Sequence, residues 1–270
     1  YNMDGSDLMT PILELKNIDY SYHTLDGETK ALSNISFSLT KGEFTAVVGP
    51  SGCGKSTLLS LIDGLMKAES GELLMNGAPL TENSSKIGYM LQHDHLFEWR
   101  TVYRNILLGA EIRGTLTPEI KKRAEEMLEQ YGLKQFARSK PSELSGGMRQ
   151  RAALIRTLLL EPELLLLDEP FSALDYQTRL TVSDDIGQII RKSGKTALLV
   201  THDLSEAVSL SDRVIILTKR PATVARIVPI SFNLEHDTPL IRRNAPEFKT
   251  YFNEIWEELN HDGQITEKAL

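Results

Sequence analysis

A single cysteine, Cys53, occurs in 270 residues, so no intramolecular disulfide can form and a reducing compartment is expected. Long apolar runs are missing as well. The richest, Leu158 to Leu167, is broken by Glu161, Pro162 and Glu163, well short of the roughly 20 residues a bilayer span needs, and the chain is expected to be soluble by itself. Positive charge is not in excess: 30 Lys and Arg against 37 Asp and Glu leave a formal charge of −7, which argues against a nucleic-acid partner. No charged segment followed by an apolar core marks a secretory signal. Residues 1–10 are expected to be a leader, disordered or left from cloning, with Met9 as a native start. Internal repeats and low-complexity segments are also absent. What remains is an ordinary globular composition, 41% hydrophobic and 25% charged, long enough for one large domain or one domain with a small appendage.

The stretch Gly49-Pro50-Ser51-Gly52-Cys53-Gly54-Lys55-Ser56-Thr57 fits the phosphate-binding pattern G-x-x-x-x-G-K-[ST]. Its flanks are those the pattern requires: Phe44 to Val48 is a short apolar, β-branched run, and Leu58, Leu59, Ile62 and Leu65 recur at helical spacing. Glycines let the backbone amides curl into an anion nest, and the start of the following helix adds positive potential. Lys55 then reaches the β and γ phosphates and Ser56 offers its hydroxyl to Mg²⁺. A glycine-rich turn that merely precedes a helix would not need this strand and helix context. Cys53 sits at a helix N-terminus that could lower its pKa, against the plainer reading of an inert small residue.

Along the chain, Leu13 and Leu15, then Ile18, Tyr20 and Tyr22, then Ile35, Phe37 and Leu39 alternate with polar partners, with a turn at Asp26-Gly27; this predicts an antiparallel β region. Leu73 to Gly77 suggests a hairpin and Ile87 to Leu91 a buried strand ending at Gln92. From His93 to Glu143 the pattern turns helical, with starts at Thr101 and at Thr117-Pro118, and reads as an inserted helical subdomain. Residues 146–160 form another helix, Glu163 to Asp168 a leucine strand covered on both faces, and Asp175 to Lys192 a helix. Thr196 to Thr201 and Arg213 to Leu217 repeat the strand pattern. In the last segment, Val224 to Ile230 reads as an edge hairpin, and Pro246 opens a helix whose Phe248, Tyr251, Phe252, Ile255, Trp256 and Leu259 lie on one docked stripe.

Two further features carry chemistry. Asp168 ends the leucine strand and Glu169 follows; strand C-termini are where open α/β sheets bind ligands. One acid suits Mg²⁺ through its water shell, the other the orientation or deprotonation of a water attacking the γ phosphate. The second feature is another glycine-rich helix start, Leu144-Ser145-Gly146-Gly147-Met148-Arg149-Gln150. A parallel sheet offers the phosphate loop one crevice, so this second anion site fits a nucleotide held by another copy of the chain.

Taken together these segments resemble an ATP-binding cassette (ABC) ATPase subunit from about Leu13 to Thr218. Leu144 to Gln150 is similar to the family signature, Gln92 to the Q-loop glutamine, Leu164 to Glu169 to the Walker B strand, Ser172-Ala173-Leu174-Asp175 to the D-loop, and His202 to the switch histidine. The resemblance implies an α/β fold: a P-loop ABC ATPase core (11–218) with an antiparallel β subdomain and an inserted α-helical subdomain at about 93–143, followed by residues 219–270 packed on it. It implies Glu169, His202 and Lys55 in catalysis and Ser56, Gln92 and Asp168 around Mg²⁺. Tyr22 is implied on adenine, with Tyr20 its competitor, and ATP lies between Gly49 to Thr57 of one copy and Ser145, Gly146 and Gly147 of the other, with Gln92 and Asp175 also among the nucleotide-binding residues. It also implies a head-to-tail dimer that turns over only when assembled.

The helical insert is too short for the coiled coils of repair members, only one phosphate loop is present, and no Asn-Lys-x-Asp base-reading motif marks a GTPase. A soluble cassette acting on a macromolecule is therefore the alternative, and a transporter subunit the main expectation. His93 to Val102, with Phe97 and Trp99, suits the groove that receives a helix of a membrane permease. Among importers, the run from Leu144 to Arg151, Arg220-Pro221, Pro246-Glu247-Phe248 and Ile255-Trp256 most resemble the nitrate, sulfonate and taurine group, although Glu98 stands where that group usually has proline. The expected partners are a second copy, membrane permease subunits and an extracytoplasmic solute-binding protein, with the chain peripheral on the cytoplasmic face of the membrane.

Overall fold

Period-two burial divides the strands between two sheets, and the computed structural model describes this for residues 11–25 and 27–264. The leader and Asp26 lie outside the described residues. In order, the elements are β1 (Leu13–Thr24), β2 (Gly27–Leu39), β3 (Phe44–Val48), α1 (Lys55–Ile62), β4 (Ser70–Met75), β5 (Ala78–Pro79), β6 (Ile87–Met90), α2 (Val102–Ile112), α3 (Pro118–Gln130) and α4 (Gly146–Leu158). They continue with β7 (Leu164–Asp168), α5 (Tyr176–Lys192), β8 (Thr196–Val200), α6 (Leu204–Leu210), β9 (Arg213–Leu217), β10 (Val224–Pro229), α7 (Pro239–Arg242) and α8 (Pro246–Gln264).

The first sheet is antiparallel in the order β2-β1-β4-β5, as the alternation predicts. Its register shifts at three places along β1, the last between Tyr20 and Ser21. Ser21 is therefore buried, while Tyr20 packs partly on the core and Tyr22 is turned outward. Simple alternation places both tyrosines on one face, and their rings do meet edge-on at 5.1 Å; the bulge between Tyr20 and Ser21 accompanies the burial of Ser21.

The second sheet has the order β10-β9-β3-β8-β7-β6, parallel throughout except for β10, which closes the edge antiparallel to β9. Each interior strand serves two cores because its side chains alternate between faces. In β7, Leu165 and Leu167 join α2, α3, α4 and α5 on one face, while Leu164 and Leu166 join α1 and the antiparallel sheet on the other. Helices α2 and α3 bury Val102, Ile106, Leu107, Ala124 and Leu128 in the same cluster as Leu154 and Leu158 of α4. The helical insert is thus continuous with α4 rather than packed on itself.

A third cluster lies between β3, β9 and β10 and helices α6 and α8, centred on a fully buried Ile255, whose burial contributes about 1.5–3 kcal/mol. Phe248, Tyr251, Phe252 and Leu259 pack around it as the stripe predicts. Trp256 does not. It is 54% exposed and stacked on Phe252 one turn earlier in the helix.

The strand order positions the site. Because β8 lies between β3 and β7, the C-terminal ends of three adjacent strands bring Gly49 to Gly54, Thr201-His202 and Asp168-Glu169 together. That is the crevice where α/β sheets bind ligands.

Candidate active site

The loop from β3 to α1 closes through two left-handed glycines, Gly52 at φ 73° and Gly54 at φ 127°. A side chain at Gly54 would also meet Leu32 Cδ2 at 2.9 Å, so geometry and space both select glycine. Lys55 is buried, and its Nζ donates to the carbonyls of Gly49 (2.8 Å) and Pro50 (3.0 Å), leaving one of three N–H donors open. Ser51, Gly52, Gly54, Lys55, Ser56, Thr57 and Glu169 line a cavity of about 300 Å³. Cys53 points away from it into the core, where burial pushes its thiol pKa up and the nearby Lys55 charge only partly offsets that. The helix start therefore does not activate it.

Tyr22 reaches this loop: its hydroxyl shares a hydrogen bond with Thr57 Oγ1 at 2.9 Å, and its ring meets Tyr20 edge-on at 5.1 Å. Of the two tyrosines, Tyr22 is the one hydrogen-bonded to α1.

At the end of β7, Glu169 adopts φ 43°, a left-handed conformation that costs a non-glycine residue of order 1–3 kcal/mol. Its N–H donates to Val200 O (2.8 Å), and its carbonyl accepts from the Ser172 hydroxyl (2.9 Å). Held this way, its carboxylate Oε2 lies 3.0 Å from His202 Nδ1. The strain is retained at the residue that sequence reasoning singled out as the base, and it aims that carboxylate into the cavity.

Asp168 is half-buried and accepts from the Tyr89 hydroxyl at 3.3 Å. Burial raises its pKa and the adjacent Glu169 charge adds to this, against hydrogen bonds from Tyr89 and Ser56 and the charge of Lys55. A desolvated carboxylate bonded to a hydroxyl is a hard-oxygen pair that fits Mg²⁺, which takes few protein ligands and completes its shell with water and phosphate. No cluster of three or more His, Cys, Asp or Glu that could hold a metal occurs among the described residues. Gln92 reaches the turn after this pair. Its Nε2 is 3.4 Å from Ser172 Oγ, whose hydroxyl donates to the Glu169 carbonyl, so β6 meets the end of its neighbour β7 through these residues.

Ser145, Gly146, Gly147 and Asp175 lie outside the cavity lining. Ser145 caps α4 by accepting from Met148 N–H (3.4 Å), and Asp175 caps α5 by accepting from Thr178 N–H (3.1 Å). The two glycines have a packing reason that sequence reading missed. A Cβ at Gly146 would stand 2.8 Å from Leu174 Cδ2, and one at Gly147 would stand 2.5 Å from Val182 Cγ2. The helix start is thus pressed against the D-loop and α5 of its own chain.

Arg149, one turn into α4, donates Nε and Nη2 to Asp94 (2.8 and 3.1 Å) and Nη2 to Glu98 (2.8 Å). Burial opposes ionisation of Asp94, but these bonds hold its pKa below the usual carboxylate range. Glu98, the departure from the sequence pattern, is therefore an added ionic tie between α4 and the segment after Gln92. On that segment Phe97 and Trp99 stack at 4.6 Å between centroids, and Trp99 is 73% exposed.

Arg220 also lines the phosphate-loop cavity and donates Nη2 to Gly52 O at 2.7 Å. Its signal lay in topology: β9 neighbours β3, so the turn after β9 lies beside the loop after β3.

Beneath His202, Glu206 is only 2% exposed and accepts from Thr201 Oγ1 at 2.7 Å. Burial lifts its pKa from 4.5 to about 7. Between those values the folded chain keeps a proton that the unfolded chain has lost, so stability falls as pH rises through this window. Glu206→Gln is expected to remove that loss. Denaturation at pH 8 should show a gain of up to about 3 kcal/mol over the parent and little gain near pH 4.5; equal gains at both would contradict the shift.

Comparison with known proteins identifies the family. The ABC transporter family profile matches residues 32–172. An uncharacterised ABC transporter ATP-binding protein of Bacillus subtilis, YtlC, is 44% identical over 248 residues, covering 92% of this chain and 95% of the relative. The aliphatic sulfonates import ATP-binding protein SsuB of Bacillus licheniformis is 40% identical over 232 residues, 86% of this chain and 88% of its own. A dimeric structure of the ATP-binding cassette MJ0796 in a post-hydrolysis state, bound to ADP and Pi, superposes with a TM-score of 0.69 at 33% identity, over 82% of this chain and 99% of that one. The chain belongs to the ABC transporter ATP-binding family and has its α/β cassette fold and ATPase machinery.

Proposed function

We propose that the chain energises an importer for a small anion of the nitrate, sulfonate or taurine class, as a head-to-tail dimer on the cytoplasmic face of the membrane beneath separate permease subunits supplied by a solute-binding protein. The observation that carries the mechanism is the Glu169 carboxylate, held in a left-handed turn 3.0 Å from His202 Nδ1 at the wall of the phosphate-loop cavity. The sulfonate-importer relatives support the solute class, and no helix among the described residues is long and apolar enough to cross a membrane, in keeping with separate permeases.

Lys55 turns its ammonium from the loop carbonyls to the β and γ phosphates, the amides of Gly52 to Thr57 hold the remaining oxygens, and Tyr22 stacks on adenine. Ser56 and Asp168, with Gln92 drawn in from Ser172, would hold Mg²⁺, whose chemistry is to neutralise charge on the β and γ phosphates. Glu169 takes a proton from water as its oxygen bonds to the γ phosphorus. The bond from phosphorus to the β–γ bridging oxygen breaks, leaving ADP and inorganic phosphate. His202 steadies the carboxylate and meets the γ phosphate. Ser145 to Gly147 of the second copy close over the same phosphate, since within one chain they lie outside the cavity. The exposed Phe97 and Trp99, tied to α4 through Asp94, Glu98 and Arg149, form the permease contact and pass its movement to the signature helix.

Glu169→Gln should keep ATP binding while turnover falls by about 10²–10⁴-fold; near-normal turnover would remove Glu169 from its role. Ser145→Arg should abolish turnover with ATP affinity of the isolated monomer unchanged. Purification from native membranes should bring hydrophobic permease chains with it, and recovery of a soluble macromolecule instead would favour the other class of cassette.

A further inference from the structure

Arg179, on the first turn of α5, joins two loops of one chain. Its Nη2 donates to the Leu174 carbonyl in the D-loop at 3.1 Å, and its Nη1 lies 3.5 Å from Asp203 Oδ2. Asp203 follows His202 directly and caps α6 by accepting from Ser205 N–H (2.8 Å) and Glu206 N–H (3.2 Å). Its own N–H donates to Thr201 Oγ1 at 3.0 Å. Glu169, Ser172, Arg179, Thr201, His202, Asp203 and Glu206 line one polar nest, and Arg179 Nε within it is buried without a hydrogen-bond partner.

On the other side, the Leu174 side chain lies against Gly146, so close that a Cβ there would stand 2.8 Å away. The signature glycine, the D-loop, Arg179 and Asp203 are therefore linked by contacts of one chain, Asp203 is joined to His202 through the backbone, and His202 meets Glu169. A guanidinium suits the central place because it is always charged and presents several donors in a planar fork, so two acceptors on different loops can be held at once.

We propose that Arg179 is a positioning residue for hydrolysis, fixing His202 against Glu169 through Asp203 and transmitting to that pair any shift of the D-loop and signature helix. This rests on the reading of Glu169 and His202 given above. The half of the subunit that serves a partner's nucleotide thereby biases the half that serves its own. When the D-loop moves, Leu174 O and Asp203 can no longer both be held by one fork, and the carboxylate–imidazole pair loses its alignment.

The test measures steady-state ATPase kinetics on the dimer-forming full chain, with ATP binding and Tm as controls. Arg179→Ala is expected to lower kcat roughly 10- to 100-fold, the scale of a small misplacement of reacting groups, with KM changed less than about twofold. On a His202→Ala background the same substitution should change kcat by less than about twofold, because the route runs through the histidine. Asp203→Asn, which still caps α6, should reproduce the loss without lowering Tm, and it decides the matter if Arg179→Ala fails to fold. Unchanged kcat in Arg179→Ala or Asp203→Asn, or an equal further loss on the His202→Ala background, would overturn the proposal. Wild-type turnover in His202→Ala would overturn the histidine's role and this route with it, a failure distinguishable from the others by that single variant.

Discussion

Glu169 is turned out of a strand that has no freedom to move. Four leucines of β7 are fully buried between two cores, so Asp168 and Glu169 leave the sheet at a fixed height. The left-handed backbone at Glu169, held by Val200 O and the Ser172 hydroxyl, then points its carboxylate at His202 rather than along the strand. A more relaxed turn would leave two acids side by side and the histidine without its partner. The strain is small against the burial that enforces it, which is how such a conformation persists.

The other parts gain meaning from that fixed point. With β8 between β3 and β7, the phosphate loop, the histidine turn and the acid pair share one crevice, and Arg220 arrives there because β9 lies on the far side of β3. Charge inside the crevice is arranged rather than cancelled: Lys55 is folded on carbonyls, Asp168 is desolvated beside Ser56 and Tyr89, and burial beneath His202 lifts the pKa of Glu206 to about 7. The signature serine and glycines belong to a separate surface formed by α4 and α5, locked to the segment after Gln92 by Arg149 and to the histidine turn by Arg179.

Most strands and every predicted helix start were legible, because alternation, leucine runs and side-chain caps at Thr101, Thr117, Ser145 and Asp175 are local signals. The phosphate loop and the acid pair also stand out as local patterns, whereas His202 was marked only by the resemblance to ABC ATPases. What escaped depended on tertiary position. A bulge between Tyr20 and Ser21 interrupted the alternation of β1; burial overrode the helix start at Cys53; and Trp256 lies exposed although it shares the docked stripe. Arg149, Arg179 and Arg220 act across long sequence separations, and no local pattern marks which arginine finds which carbonyl. Gly146 and Gly147, read as an anion site alone, are also required for contact with Leu174 and Val182.

The central claim is that a working site is shared between copies, with Glu169 contributed by one and Ser145 by the other. Mixing Glu169→Gln chains with Ser145→Arg chains, each inactive alone, and measuring ATP turnover addresses it directly. In a shared site the mixed dimer keeps one intact pairing, Glu169 of the arginine variant with Ser145 of the glutamine variant, and turnover should return. A mixture as inactive as its components, with dimer formation confirmed, would mean that each chain hydrolyses ATP with its own residues alone.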